Sequence, residues 1–370
     1  MGIEIAQATD LLKGTLAKFD KDMVQIALKN QTCEIVNRWF KSDKKVVTGG
    51  DSVKFYVQLK RSNNASHTQL YDTDDVNVAQ VVSEGSVNWV HAKTAWAFDV
   101  RELAMNKGNP QRVFNMLEQR VKAAIHDLII ELEEAAWRTP SSSSDTLAPH
   151  GLPGWLVQAD SDNETGNFTG YVGDYTTSAD GESAYSTVAG LSCTSSVNPY
   201  WANWYADHNN NIDDTLLKLL SKAFLETRFE TPTIAGEALD PKSNFNNFRM
   251  YTSSNVILNL EEIARKSDDK VGFDLGKYAG ATIFKGIPFK WINDLDTELT
   301  YVRGADPIYG VNHSHFYPIV LADNNFRRTA PAPIKGSHNV LEAFIDLTYA
   351  YVCDNRRTAG FLISDWEGGN

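Results

Sequence analysis

One long helical pattern constrains what this chain can fold into. It runs from Asn109, a good N-cap, to Trp137, with Pro110 at the first helical position and no interrupting glycine or further proline. Thr139-Pro140 ends it, because the residue before a proline avoids the α region. At about 1.5 Å per residue the helix would be roughly 40 Å long, which indicates a rod with other elements laid along it. A long amphipathic helix in any α+β protein would show the same pattern, so the segments before and after it must distinguish these two interpretations.

The apolar side chains of this helix recur at intervals of three and four residues, as one buried face requires. These positions are Val113, Leu117, Val121, Ala124, Leu128, Leu132 and Ala135, with Phe114, Ile125 and Ile129 beside them.

The acidic balance of the chain argues against a dedicated nucleic-acid binder, which needs a basic face. There are 35 Lys+Arg and 47 Asp+Glu in 370 residues, a formal net charge of −12. A protein that encloses DNA without adhering to it remains compatible with this charge. The length predicts two or three subdomains.

Cysteine usage and the N-terminus bear on the compartment. Cys33, Cys193 and Cys353 are odd in number and far apart, which implies neither a disulfide framework nor a zinc site and favours a reducing cytosol. The first residues lack the basic and apolar regions of a signal peptide. No apolar run approaches the ~20 residues of a membrane span, so no membrane partner is expected.

Two segments before the long helix carry too few apolar residues to fold alone. Residues 5–40 are modestly amphipathic and predict a helical arm that packs either on its own chain or on a neighbour. Val53–Leu59 alternates as a strand, a polar tip covers 61–75, and β-rich sequence returns from Val76 to Phe98. Because an isolated two-stranded ribbon is marginal in water, we expect this excursion to lie on another subunit.

The remainder of the chain mixes helices and strands. A Ser/Pro linker at 140–149, a turn at 151–154 and polar loops at 158–190 follow the long helix. Further on, the pattern predicts the following elements: helix 212–228, strand 248–252, a helix from Ser253 or Ser254 to about Lys266, a strand–turn–strand over 281–294 that turns at Gly286 and Pro288, and strands at 315–321, 339–353 and 359–363.

Several polar groups were weighed as metal or acid–base sites. His313 and His315 would be two imidazoles on one face of a strand, but no third metal ligand has a convincing spacing. The pairs Asp213-Asp214 and Asp294/Asp296 match acid–base carboxylates, yet helix-capping and turn roles explain both. No metal, catalytic or cofactor residue is therefore assigned.

The aromatic and thiol groups likewise give no candidate for a binding or catalytic site. Trp201 and Trp204, with Tyr200 and Tyr205, would suit a sugar-stacking platform, but core or interface packing is the simpler reading. Cys193 has no neighbouring histidine, so a nucleophile has no support. The chain also lacks the common nucleotide-binding, hydrolase and metalloprotease motifs. We expect no enzyme.

The order of these elements resembles the major capsid protein of tailed bacteriophages, the Hong Kong ninety-seven fold. The resemblance covers nearly the whole chain and depends on an ordered set of local phrases, none of them specific alone. They are Glu134–Trp137, Gly151–Gly154, Ala189–Leu191, Asn198–Trp201, Phe284–Phe289, Ile308–Asn312 and Val352–Arg357.

This resemblance implies an α+β fold with a division of labour along the chain. It places an N-terminal arm at 1–50, an extended β-loop at 51–99, a peripheral domain with the spine helix at 100–154 and C-terminal strands at 326–370, and an axial domain at 155–325. It also implies hexamers and pentamers closed into an icosahedral shell around double-stranded DNA, in a virion whose subunits are made in the host cytoplasm. Expected partners are a separate scaffolding protein, a portal and possibly a decoration protein.

Two points limit the resemblance. Some members cross-link a loop lysine to an asparagine; Lys60 and Asn339 or Asn355 are available, but no motif singles them out. An encapsulin-type shell around protein cargo is an alternative with the same fold. A β-rich carbohydrate-binding or hydrolytic protein is a second alternative, from another class.

Overall fold

The secondary structure of this chain comes from a computed structural model. It describes residues 34–60, 65, 67, 69–70, 81–105, 110–140, 145–159, 168–173, 186–194, 197–227, 233–234, 237–238, 247–267, 282–296 and 304–365, and every structural statement below concerns these residues. The helices are α1 (Ile35–Asp43, a π-helix), α2 (Val100–Met105), α3 (Pro110–Ala136), α4 (Leu152–Trp155), α5 (Asp214–Thr227), α6 (Ser254–Ser267) and α7 (Arg356–Ala359). Short 3₁₀ turns lie at Asn293–Leu295 and Ala322–Asn324.

Nineteen strands are described. They are β1 (Lys45–Val47), β2 (Ser52–Gln58), β3 (Val82–Asn88), β4 (Val90–Asp99), β5 (Thr169–Val172), β6 (Thr187–Val188), β7 (Leu191–Ser192), β8 (Asn203–Asp207), β9 (Thr233–Ile234), β10 (Glu237–Ala238), β11 (Phe248–Thr252), β12 (Ile283–Phe284), β13 (Ile287–Trp291), β14 (Ala305–Asn312), β15 (Phe316–Leu321), β16 (Arg327–Arg328), β17 (Ala332–Ile334), β18 (Ser337–Cys353) and β19 (Gly360–Asp365).

The predicted long helix is confirmed as α3, with 27 residues. Its C-terminal half buries Ala124, Leu128 and Leu132 at intervals of four, as one face of a helix must. This face packs against β4 and α1. No helix among the described residues has both the length and the apolar character needed to cross a bilayer.

A six-stranded sheet is built around β18, a single strand of 17 residues. One edge of β18 pairs with β4 over ten residues, from Val340 opposite Asp99 to Tyr349 opposite Val90. The other edge pairs in succession with β17, β16 and β15, and β1 adds in parallel to β15. The predicted strands at 315–321 and 339–353 are confirmed as β15 and β18.

The predicted β-excursion is wrong in its second half. Only β2 and β3 form the two-stranded ribbon, from Ser52 opposite Asn88 to Gln58 opposite Val82. After Trp89 the chain enters the six-stranded sheet as β4. A ribbon strand and a half-buried sheet strand have the same two-residue period, so the pattern up to Phe98 could not show where the partner changes. The predicted polar tip lies mostly outside the described residues.

A seven-stranded sheet carries the second core, in the order β12-β13-β11-β14-β19-β8-β5. Helices α5 and α6 pack on it through Leu216, Leu220, Val256 and Leu260. The predicted helices at 212–228 and 253–266, the strand at 248–252, the final strand and the 281–294 hairpin are confirmed. The hairpin turns at Lys285-Gly286, where φ is +48° and +85°, a tight turn that glycine favours. Pro288, the other predicted turn residue, instead lies in β13 opposite Ile283.

Strand β8 was not predicted. All five of its residues are buried, so it shows no alternation, and its Asn203 and Asp207 interrupt the apolar run that indicates the similarly buried β15 and β19. The predicted N-terminal helix is seen only as α1, and its residues before Glu34 lie outside the described part of the chain.

Candidate functional site: the arm seat and the buried arginine

The two histidines weighed as metal ligands do not face a common site. They lie in a turn between β14 and β15, not on a strand as expected. His313 Nε2 shares a 2.7 Å hydrogen bond with the Tyr251 hydroxyl, whereas His315 Nδ1 lies 2.7 Å from Asp354 Oδ1. Burial holds the pKa of His313 well below its usual value. No group of three potential ligands for a metal ion occurs in the described residues.

The paired aspartates cap helices. Asp213 Oδ1 accepts the backbone N–H of Thr215 at 2.7 Å at the start of α5, and this bond lowers the pKa of Asp213. Asp296 Oδ1 accepts the backbone N–H of Ser254 at 2.6 Å at the start of α6, while its Oδ2 accepts the Trp291 indole N–H. Asp214 lies in the first turn of α5, so the four carboxylates serve helix ends and turns.

The aromatic cluster does not form a sugar platform. Trp201 and Trp204 are each 1% exposed and Tyr205 is fully buried, so no sugar ring can stack on them. Tyr200 is partly exposed, with the Arg357 guanidinium 5.2 Å from its ring centroid. The sequence feature that motivated a carbohydrate-binding protein is therefore core packing.

Arg356 is a fully buried charged side chain, with 0% exposure. It lies at the start of α7, in the chain between β18 of the six-stranded sheet and the final strand β19 of the seven-stranded sheet, and its guanidinium donates to groups from four separate segments. The acceptors are Trp155 O (2.8 Å), Trp201 O (3.1 Å), Gly173 O (3.2 Å), Cys193 Sγ (3.2 Å) and Asn203 Oδ1 (3.2 Å).

The partners of Arg356 are neutral, and most belong to the main chain. Asn203 extends the network, because its side chain also accepts the N–H of Val157 and donates to the Val157 carbonyl, at 3.0 and 2.8 Å. A planar guanidinium with five N–H donors suits this divergent set of acceptors. Arg356 thus ties the turn after α3 to strands of the seven-stranded sheet. Sequence reasoning missed this role, since an Arg-Arg pair ordinarily predicts a solvated surface.

Helix α1, the described end of the predicted arm, is anchored in its own chain. Trp39 of α1 is fully buried, and its indole N–H donates to the Tyr251 hydroxyl at 3.1 Å. Its ring lies among side chains from α3 and from both large sheets, which we call the arm seat. The seat consists of Glu133, Trp137, Tyr251, His313, Phe316 and Tyr351, with ring centroids of the five aromatic members 4.9–6.1 Å from that of Trp39.

Glu133 is the charged member of the arm seat and is 1% exposed. Its Oε2 accepts the backbone N–H of Ile35 at 2.9 Å, at the first turn of α1, and its Oε1 accepts the Trp137 indole N–H at 3.4 Å. Burial, opposed by these two bonds, raises the pKa of Glu133 from 4.5 to about 8. A sequence signal existed: Glu133 lies four residues from both Ile129 and Trp137, on an otherwise apolar face.

One face of the ribbon formed by β2 and β3 also packs on its own subunit, which contradicts the expectation that the whole excursion lies on another subunit. Phe55 packs against Trp155 and Trp201, at centroid distances of 6.3 and 6.4 Å, and Ser86 N–H donates to the Ala189 carbonyl at 2.8 Å. The opposite face is open, and Tyr56 on it is 70% exposed. The alternation of apolar and polar residues in the ribbon predicts a buried face, but the residues that cover this face are remote in sequence and could not be identified from the pattern.

An open groove of about 620 Å³ runs between α3, β4 and the segment Asp145–Pro149. Carboxylates of Asp127, Glu131 and Asp145 line it together with basic side chains of Lys93 and Arg138. Its mixed charge and openness suit a contact surface better than a small-molecule pocket, which is mostly apolar and enclosed.

Comparison with solved structures identifies the fold. The capsid asymmetric unit of cyanophage A-1(L) matches with a TM-score of 0.59 and 11% identity, over 95% of this chain and 98% of that chain. The capsid of a native GTA particle matches with a TM-score of 0.50 and 12% identity, over 94% of each chain. No protein-family model and no curated protein matches the sequence. The expected α+β phage-capsid fold is confirmed.

Proposed function

We propose that this chain is a major capsid protein that assembles into hexamers and pentamers of an icosahedral shell around the double-stranded DNA of a tailed phage. The observation that carries the proposal is the end-to-end match of its fold to the cyanophage A-1(L) capsid subunit. The match spans 95% of this chain and 98% of that chain.

The ribbon supplies the physical support for assembly. One face of the ribbon is held on the subunit by Phe55. The opposite face presents Tyr56 and an exposed ion pair of 2.6 Å between Lys54 and Glu84. The exposed ring of Tyr56 on this face is available for contact with a neighbouring copy. A ring of subunits needs two different surfaces that complement each other, and a ribbon on one copy with a groove on the next satisfies this requirement.

The division of the chain follows from the same proposal. We assign residues 1–50 to the arm, the six-stranded sheet and α3 to a peripheral domain, and most of 155–325 to an axial domain. The extended loop is better ended at Trp89 than at residue 99, because β4 belongs to the six-stranded sheet.

The proposed protein is structural and not an enzyme, and it needs no cofactor. It would reside in the virion after synthesis in the host cytoplasm, with a separate scaffolding protein, a portal and possibly a decoration protein as partners. The net charge of −12 supports contact with packaged DNA that is neither sequence-specific nor strongly adhesive.

Assembly of the purified protein tests this proposal directly. We expect the full chain, alone or with its scaffold, to sediment as capsomers or shells, and negative-stain micrographs to show closed particles. A monodisperse monomer at all concentrations with and without scaffold would contradict it. The absorbance ratio of intact particles from infected cells separates a DNA-filled shell from an encapsulin-type shell around protein.

Removing the ribbon tip is expected to separate folding from assembly. Because the tip joins the free ends of β2 and β3, deletion of Ser62–Asp75 should leave the thermal unfolding of the subunit nearly unchanged but prevent shell formation, measured by sedimentation. The matched control replaces the same residues by a Gly/Ser linker of equal length, which keeps the span and removes the side chains. Loss of the subunit fold in both variants would show that the tip supports its own molecule.

A further inference from the structure

We propose that Glu133 makes docking of the arm on the arm seat proton-dependent, so that the α1 segment is held as the acid form of this side chain is populated and loosens as it ionises. The inference concerns the arm and its seat within one subunit and stands independently of shell formation.

The geometry places Glu133 at the contact itself. One carboxyl oxygen accepts the Ile35 N–H, which belongs to the first described turn of α1. The other oxygen faces the Trp137 indole, whose ring packs on Trp39 at 5.7 Å. With 1% of its surface exposed, Glu133 loses its water when α1 docks and regains it when α1 leaves.

The charges around Glu133 reinforce this effect. Glu34 on the arm and Asp294 in the 3₁₀ turn both raise the pKa of Glu133, in addition to burial, which is the largest cause. Tyr351 of β18 is near enough for the charge of Glu133 to raise the pKa of its phenol.

Other titratable groups surround the arm and its seat. Burial raises the pKa of Asp43, which lies 3.4 Å from Arg38, while the charges of Arg38 and Arg249 oppose that rise. His313, whose Nδ1 lies 3.8 Å from Asp43 Oδ2, stays neutral because burial lowers its pKa far below the usual value. The phenol of Tyr251 has its pKa raised by burial and is neutral throughout. Among these groups, Glu133 is the one in direct contact with the first turn of α1.

The sign of the effect follows from linkage. In the docked state the pKa of Glu133 is about 8, whereas the released side chain in water returns towards 4.5. Docking thus takes up a proton between these values, and its equilibrium constant falls about tenfold per pH unit across the window. The contribution of Glu133 to the free energy of arm docking is fully present below pH 4.5 and is lost above about pH 8.

Hydrogen exchange of the full chain, read by mass spectrometry for peptides covering residues 34–43, tests the proposal. After correction for the intrinsic pH dependence of exchange, we expect the protection of these amides to fall several-fold to tenfold per unit between pH 6 and 8 in the wild type. Glu133→Gln keeps an acceptor for Ile35 and removes the ionisation, so its profile should be flat over this range. Peptides from α5 should show no such change in either protein.

Two variants serve as matched controls. Glu131→Gln removes an exposed carboxylate from the same helix and should retain the wild-type slope. Asp43→Asn should also retain the slope, because it removes a carboxyl at the other end of α1 and leaves Glu133 in place. A constant wild-type protection factor from pH 6 to 8, or a Glu133→Gln protein that keeps the slope, would overturn the proposal. The wild-type profile alone decides if Glu133→Gln does not fold.

Discussion

Replacing Arg356 by methionine is expected to lower the free energy of unfolding of the subunit by about 3–5 kcal/mol. Methionine fills much of the same volume but donates no hydrogen bond. Main-chain carbonyls of Trp155, Gly173 and Trp201 would then be buried without the guanidinium that satisfies them. Denaturant unfolding of the unassembled subunit measures the loss, and soluble yield is expected to fall with it.

The adjacent arginine provides the control for this prediction. Arg357 is partly exposed and stacks on Tyr171 at 3.8 Å, an interaction expected to contribute ~1 kcal/mol or less. Arg357→Met should therefore unfold close to the wild type. Arg356→Lys keeps the charge but not the planar fork of donors, so we expect it to lie between Arg356→Met and the wild type. Equal losses at positions 356 and 357 would refute the role given to Arg356.

Replacing Trp39 by alanine is expected to have the second large effect. Removal of a fully buried indole leaves a cavity at the point where α1, α3 and the two large sheets meet, and typical losses for such truncations are about 3–5 kcal/mol. The Tyr251 hydroxyl also loses the indole N–H that donates to it. Because one cavity then borders two helices and two sheets, we expect hydrogen-exchange protection to fall in α1 most and in neighbouring strands less.

Trp96→Ala is the matched variant for Trp39→Ala. Trp96 is a half-buried indole of β4 that stacks on Phe98 at 5.8 Å, so its removal opens no enclosed cavity. We expect a loss of about 1–2 kcal/mol and unchanged protection of residues 34–43. If Trp39→Ala were as mild as Trp96→Ala, the arm would not be anchored through its tryptophan.

The sequence predicted α3, α5, α6 and β2 because each of them exposes one face and buries the other, which makes their periods visible. The buried strands β15 and β19 were predicted from short apolar runs, whereas the equally buried β8 was missed because Asn203 and Asp207 bound it and leave no such run. The end of the ribbon was misplaced because alternation does not identify the partner strand. Hydrophobic periodicity reports which faces are buried and not which element covers them.

The candidate site was harder to predict because its members interact across long stretches of chain. Arg356 meets the carbonyl of Trp155, 201 residues earlier, and Glu133 meets the N–H of Ile35, 98 residues earlier. Every residue type has a main-chain carbonyl, so the sequence near Trp155 gives no indication that an arginine binds there. Only the position of Glu133 on an apolar face carried a usable signal.

The way β4 continues from the ribbon determines how a mechanical pull would reach the subunit. Strand β3 ends at Asn88 and β4 starts at Val90, so one residue separates the ribbon from the ten residue pairs between β4 and β18. A force on the ribbon directed along β4 would load these hydrogen bonds together in shear, whereas a force across β4 would peel them one at a time. Tension along β4 would thereby be spread over β18, the longest of the described strands, and rupture would require the whole ladder to yield at once.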